Sequence, residues 1–396
     1  MLNYKNNSLW FTFILCYCIG GLLVYLGLPF RLFYVTFIPL LVILLDIIRN
    51  QKIKFDYVII IFIFYMILIF ISGLLNNSPI NNILKYFRHV STPLIIYYFV
   101  LLVINSNNIS KVIKYSILLG MCQLPIVVMQ KINYEKLSSL SPTHGTPLSS
   151  SKLDFDFGTF YWKDDPAMTM FLLFIISFLL FDKRNNGIVK NKNIVVIWLS
   201  TTILIANSMI GHLILFALFF LYVFKKNNLM KIIQILFSIV TLSMIIYLSG
   251  YHSVWTTNIK KSIEQLTFKD SFDTEKFLTG NYARSAAVIY YLSEPIKIIG
   301  DGPSSSYDPI SRTYKLGNTG LILLTYSELG IFGIFIIIIL FYSFSYNKKR
   351  VSKNMSFPIF FTLIIYCITS SVLTDASMIF ASLIFSSTDL MNSKLI

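Results

Sequence analysis

The chain has 396 residues, 56% of them hydrophobic and only 13% charged, with a net charge of +15. Soluble domains carry about 25% charged residues, so the composition excludes a soluble multidomain protein and predicts an all-α polytopic membrane protein. The basic excess does not point to nucleic acid: lysines and arginines fall mostly in short stretches between apolar runs, as in cytoplasmic loops facing anionic lipid.

In chain order the apolar runs predict about twelve transmembrane helices, forming a single integral membrane domain over 1–396 with both termini cytoplasmic. Leu9 to Leu28 and Leu32 to Ile48 form a first pair, turned by Pro29-Phe30-Arg31. No cleavable leader is expected, because the first apolar run is followed at once by a second. The basic stretch Arg49 to Lys54 then lies inside, and Phe55 to Leu75 crosses outward. Asn76 to Ser91 is expected outside, with an amphipathic piece carrying Lys85, Arg88 and His89. Thr92 to Ile104 returns and Val112 to Gln130 goes out again.

The first large external loop spans 131–165 and is rich in Ser, Pro, Gly and acidic residues. It ends in Gly158-Thr159-Phe160 and Asp165, ahead of the span Pro166 to Phe181. Lys183, Arg184, Lys190 and Lys192 mark the inside. A hairpin follows, Ile194 to Ser208 and Gly211 to Phe224, with His212 near its outer tip. Lys225, Lys226 and Lys231 return inside, and Ile232 to Gly250 leads to the second large external loop, 251–317. Asn318 to Phe344 runs back to Lys348-Lys349-Arg350, and Met355 to Leu373 with Ala376 to Leu390 close the set. Every strongly basic short loop falls on one side, which checks the count independently. Cys16, Cys18, Cys122 and Cys367 all sit in apolar runs, where thiols act as small hydrophobes, and no metal site is expected.

Loops of this length in a compact domain usually carry function, so the chemistry is expected outside, centred on Gly280 to Tyr346. Arg284 lies on a predicted short helix, Tyr282 to Ser293, ended by Glu294-Pro295 and followed by the turn Gly300-Asp301-Gly302-Pro303. Two readings fit an arginine at a membrane surface: a bidentate grip on phosphate or diphosphate oxygens, or snorkelling to lipid phosphates. Glu328 stands inside the long span. A charge near the bilayer centre costs about 2.5–3.5 kcal/mol on insertion scales. It therefore either orients a cation of the site or is a packing residue, protonated or paired. His89, His144, His212 and His252 fall near the outer face, where an imidazole can take a hydroxyl proton or simply sit at the interface. Asp154, Asp156, Asp164, Asp165, Asp301 and Asp308 offer contacts to sugar hydroxyls, act as a base, or are merely solvated. Tyr282, Tyr290, Tyr291, Tyr307 and Tyr314, with Trp162 and Trp255, offer sugar-stacking faces or belong to an interfacial aromatic belt.

The run from Arg284 through Glu294-Pro295 and Gly300-x-Gly302 to Glu328-Leu329-Gly330-Ile331-Phe332-Gly333 resembles the shared region of bacterial O-antigen polymerases and O-antigen ligases. Gly158-Thr159-Phe160 with Asp165-Pro166, and more faintly Asn207-Ser208 with Gly211, extend the likeness over roughly the second two-thirds of the chain. The resemblance implies a GT-C-like membrane glycosyltransferase that uses no nucleotide sugar, metal or other cofactor. Its substrates would be undecaprenyl-diphosphate-linked oligosaccharides, handled on the outer face of the bacterial inner membrane. A chain-length regulator and a flippase would be its partners. Arg284 matches the family's diphosphate-gripping arginine and is expected, with Glu328, in the catalytic centre. Arg312, Arg88, Lys152, Lys163, Asp301 and Tyr291 are the expected substrate-binding residues.

Two departures qualify this. Thr319 stands where ligases carry a histidine, which favours polymerisation of repeat units over ligation and leaves the general base unassigned. The loop 131–165 holds no arginine, so Lys152 or Lys163 would stand in as point charges without the planar fork. Ligase-type transfer remains an alternative. A non-enzymatic flippase is another; it would show internal repeats, broken helices at matching positions and midplane charges. No such repeat is visible, and Glu328 is the one clear midplane charge.

Overall fold

The computed structural model describes residues 3–19, 35–51, 55–139, 157–160, 165–182, 184, 188–206, 208–226, 295–305, 307–308, 313–314, 320–347, 350–370 and 372–394. Its described residues form an α-helical membrane protein. The strands among the described residues are two residues each, Tyr307–Asp308 paired antiparallel with Thr313–Tyr314. Four helices are long and apolar enough to cross a membrane: Tyr57–Leu75, Ile80–Val103, Ile109–Ile132 and Leu321–Ser345. Shorter apolar helices accompany them at Pro166–Phe181, Lys192–Ile205, Ile210–Phe224, Lys353–Ile368 and Ala376–Phe385. The chain enters through Asn3–Ile14, which loosens into a π turn at Leu15–Ile19, and Phe37–Asn50 follows. The expected span Ile232 to Gly250 lies outside the described residues.

Burial sorts these helices by position. Between Ala167 and Leu179 the Asp165–Phe181 helix is buried on every side. A helix apolar all round belongs at the centre of a bundle, and the Lys353, Ala376, Lys192 and Met209 helices surround it. By contrast, Tyr57–Leu75 is buried along one stripe, Val58, Phe62, Tyr65, Ile69 and Ser72. Its other face, including Ile60, Phe64, Ile67 and Ile71, is exposed to what would be lipid.

Contacts at the helix termini gather the ends flanked by basic residues at one end of the bundle. Tyr97 donates to the Asp56 carboxylate, Tyr57 to the Ser343 carbonyl at 3.3 Å, and Arg350 to the Leu101 carbonyl at 3.4 Å. Arg184 is held by both oxygens of buried Asp182, at 2.8 and 2.7 Å, and reaches the Thr388 carbonyl at 2.6 Å and Asp389 at 3.2 Å. Asp389 in turn donates its N–H to the Arg350 carbonyl at 2.7 Å. These links tie the C-terminal 3₁₀ turn, Thr388–Lys394, to the same end.

Several expected boundaries change. Asn76 to Ser91 is not a separate outer piece and Thr92 to Ile104 is not a span of its own. Ile80–Val103 is one helix, and only 76–79 form the turn before it. The reason is that Ile83, Tyr86 and Val90 bury a continuous face at helical spacing, so Pro93 sits inside the helix without ending it. Ile109–Ile132 runs two residues past the expected Gln130, Tyr134–Ser139 adds a turn and a half within 131–165, and 157–160 folds back into the bundle. The last span ends early, at Phe385 rather than Leu390, and gives way to the 3₁₀ turn. Pro125, inside Ile109–Ile132, has no N–H to give the Met121 carbonyl; the Trp198 indole supplies one at 2.8 Å.

Candidate functional site

The Leu321–Ser345 helix does not cross uninterrupted as expected. At Gly330 the backbone leaves helical geometry, with φ 69° and ψ −161°. A break of this kind leaves carbonyls above it and N–H groups below it without helical partners, and lipid cannot satisfy them. The segment 295–305 satisfies them instead. Asp301 and Gly302 donate their N–H groups to the carbonyls of Ser327 and Glu328, at 2.8 and 3.0 Å. Ile331 and Phe332 donate theirs to the carbonyls of Lys297 and Ile298, at 3.0 and 3.5 Å. Contrary to the expectation of a water-facing loop throughout 251–317, this part of it is built into the helix.

Such an approach requires glycine on both sides. A Cβ on Gly300, whose φ is 75°, would lie 2.5 Å from the Glu328 carbonyl carbon and the Leu329 nitrogen. One on Gly330 would lie 2.4 Å from the Ile298 carbonyl. The Tyr57 helix seals the junction: Ser72 donates to the Ile299 carbonyl at 3.1 Å and is within 3.3 Å of the Glu328 carbonyl.

Glu328 is fully buried immediately above the break. Buried Tyr65, Tyr86 and Thr325 lie close to one another, and both tyrosines lie within electrostatic reach of Glu328. These hydroxyls come from three different helices, and sequence reasoning singled out none of them. The available signal reached only one of them, through the spacing of Tyr65 and Ser72 on one face of an otherwise apolar helix. At the exposed edge of the junction Lys297 pairs with Asp301 at 2.7 Å, the two side chains being 23% and 50% exposed. The backbone of Lys297 is fixed as well, its N–H donating to the Tyr326 hydroxyl at 3.3 Å.

The structure thus brings Glu328, Asp301 and the turn Gly300-Asp301-Gly302 together. Arg88 lies on the exposed face of Ile80–Val103, its carbonyl accepting from Ser91 at 2.7 Å. Arg284, Arg312, Lys152, Lys163 and Tyr291 lie outside the described residues, as do His144, His252 and Thr319. His212 is buried rather than at an interface, its Nε2 3.0 Å from the Ile203 carbonyl.

A second cluster holds the other motif. Gln123 and Gln130, seven residues apart on one helix face, clamp the segment 157–160. Gln130 exchanges hydrogen bonds with both backbone groups of Gly158, at 2.8 and 2.9 Å. Gln123 accepts from the Thr159 N–H at 2.9 Å and donates to its hydroxyl at 3.0 Å. Beside it Tyr366 and Thr169 share a hydrogen bond of 2.6 Å. Gln130→Leu leaves two buried backbone groups unpaired, each costing about 1–3 kcal/mol. A clear fall in the melting temperature of the detergent-purified protein is expected, and an unchanged melting curve would show the clamp to be dispensable.

Among the described residues no group of three or more His, Cys, Asp or Glu side chains is placed to hold a metal ion. Compared with known proteins, the chain matches no protein-family model, no curated protein and no solved structure.

Proposed function

We propose that this protein is a membrane glycosyltransferase that polymerises undecaprenyl-diphosphate-linked oligosaccharide repeat units on the outer face of a bacterial inner membrane. It would cross that membrane about twelve times with a GT-C-like arrangement of spans. The growing glycan leaves its undecaprenyl diphosphate and is transferred to the next lipid-linked unit, and Arg284 stabilises the departing diphosphate as its charge develops. One observation carries the reading: the two halves of the motif that suggested it, Gly300-Asp301-Gly302 and Glu328-Leu329-Gly330, form a single hydrogen-bonded junction around a break in an apolar helix. Irregular backbone at membrane depth occurs where it is buried in protein or lines a polar cavity, which suits a site where a lipid-borne polar substrate meets the chain. Polymerisation is favoured over ligation by Thr319.

A flippase for the same lipids is the second reading, and the break at Gly330 favours it, because transporters use discontinuous helices. Among the described residues no second helix carries a positive-φ break to match Gly330, as paired discontinuous helices of a transporter would suggest. Cells lacking the protein separate the two. The polymerase reading expects single repeat units, exposed on the outer face, to persist while long glycan disappears. Accumulation of units on the cytoplasmic face alone would support the flippase and refute the polymerase.

A further inference from the structure

The strongest unassigned feature is Lys297. It stands in the stretch Pro295-Ile296-Lys297-Ile298, where the neighbouring isoleucines are 75% and 59% exposed. They adjoin Ile331, Phe332 and Phe335, which are exposed on the inner half of the broken helix. Lys297 itself is fixed by both backbone groups, through Tyr326 and Ile331. Its ammonium rests on the half-exposed carboxylate of Asp301. The main chain therefore places a cation beside an apolar edge, at the mouth of the break.

We infer that Lys297 is a binding residue for the diphosphate of a polyprenyl-linked substrate, and that Asp301 holds the ammonium until the diphosphate displaces it. This rests on the proposed function for the identity of the lipid. An ion pair with an exposed partner contributes little, because water competes for both charges. A diphosphate brings more negative charge than one carboxylate and accepts from lysine as a point charge. Its polyprenyl chain would lie along Ile296, Ile298, Phe332 and Phe335, which a free anion cannot use. No bond is made or broken; the lysine exchanges one anionic partner for another.

The two members of the pair should then act in opposite directions. The test is binding of undecaprenyl diphosphate to the full-length protein in nanodiscs of neutral lipid. Lys297→Ala and Lys297→Gln are expected to weaken binding about tenfold or more, the scale of one charge-assisted hydrogen bond. Asp301→Asn, which removes the competing carboxylate, is expected to tighten it. If the pair only staples the turn, both substitutions weaken binding alike and lower the melting temperature together, which would overturn the inference. Unchanged binding in the lysine variants would overturn it as well. Inorganic diphosphate should compete only at concentrations far above the lipid; equal competition would contradict a lipid ligand. The assay is independent of glycan lengthening. Lysine-dependent binding in a protein that lengthens no glycan would leave this site standing and count against the polymerase.

Discussion

Gly330→Ala is expected to destabilise the protein more than any other single methyl addition at a described glycine. With φ at 69° and ψ at −161°, Gly330 occupies a region open almost only to glycine, so a side chain there carries strain of about 1–3 kcal/mol. The new Cβ would meet the Ile298 carbonyl at 2.4 Å and that of Lys297 at 2.6 Å. Both are main-chain atoms, which cannot swing aside as a side chain would. Relief requires 295–305 to retreat, which gives up the hydrogen bonds to Ser327, Glu328, Ile331 and Phe332. Each buried group left unpaired adds about 1–3 kcal/mol. Gly211→Ala is the control, since its Cβ meets nothing closer than 3.2 Å. Thermal unfolding in detergent should show a large loss at Gly330 and a small one at Gly211. Equal, small shifts would mean that the junction is loose.

Arg284→Ala should have the largest effect on activity. Under the proposed function its guanidinium meets a diphosphate leaving group in a partly dehydrated site, where charged hydrogen bonds are strongest. Removing one such electrostatic donor costs about 10²–10³ in rate. Long glycan should therefore vanish from cells while the amount of protein in the membrane stays normal. Arg284→Lys should recover little, because a point charge does not reproduce the planar fork. Substitutions at Arg88 and Arg312 should give weaker, graded defects. Full-length polymer from Arg284→Ala cells at normal protein levels would make the arginine a lipid anchor.

The helices of this fold are largely legible because an apolar run of span length has few alternatives. Legibility fails where partners are distant in sequence. Nothing local in Leu329-Gly330-Ile331 distinguishes a broken helix from an ordinary one containing a glycine. The break exists because 295–305 supplies the missing backbone partners from another part of the chain. The residues of Ile80–Val103 before Thr92 read as a surface piece because Lys85 and Arg88 dominate its composition. The face formed by Ile83, Tyr86 and Val90 decides otherwise. In the site, Glu328 and Asp301 stood out as charges. Tyr65, Tyr86 and Thr325 did not, since isolated hydroxyls in apolar helices are common and their convergence is visible only in three dimensions. Gln123 and Gln130 escaped for the same reason: what they bind, Gly158 and Thr159, lies beyond the helix that carries them.

The most direct test is lengthening of a lipid-linked glycan by the purified protein alone. The protein is reconstituted in proteoliposomes with undecaprenyl-diphosphate-linked repeat units and a metal chelator, without nucleotide sugar, and products are sized by gel. A ladder of longer glycans still attached to undecaprenyl diphosphate, with undecaprenyl diphosphate released in step, is the predicted result. Repeat units that remain single under these conditions, with protein that is folded by its melting curve, would contradict it. So would lengthening that appears only when a divalent cation is restored.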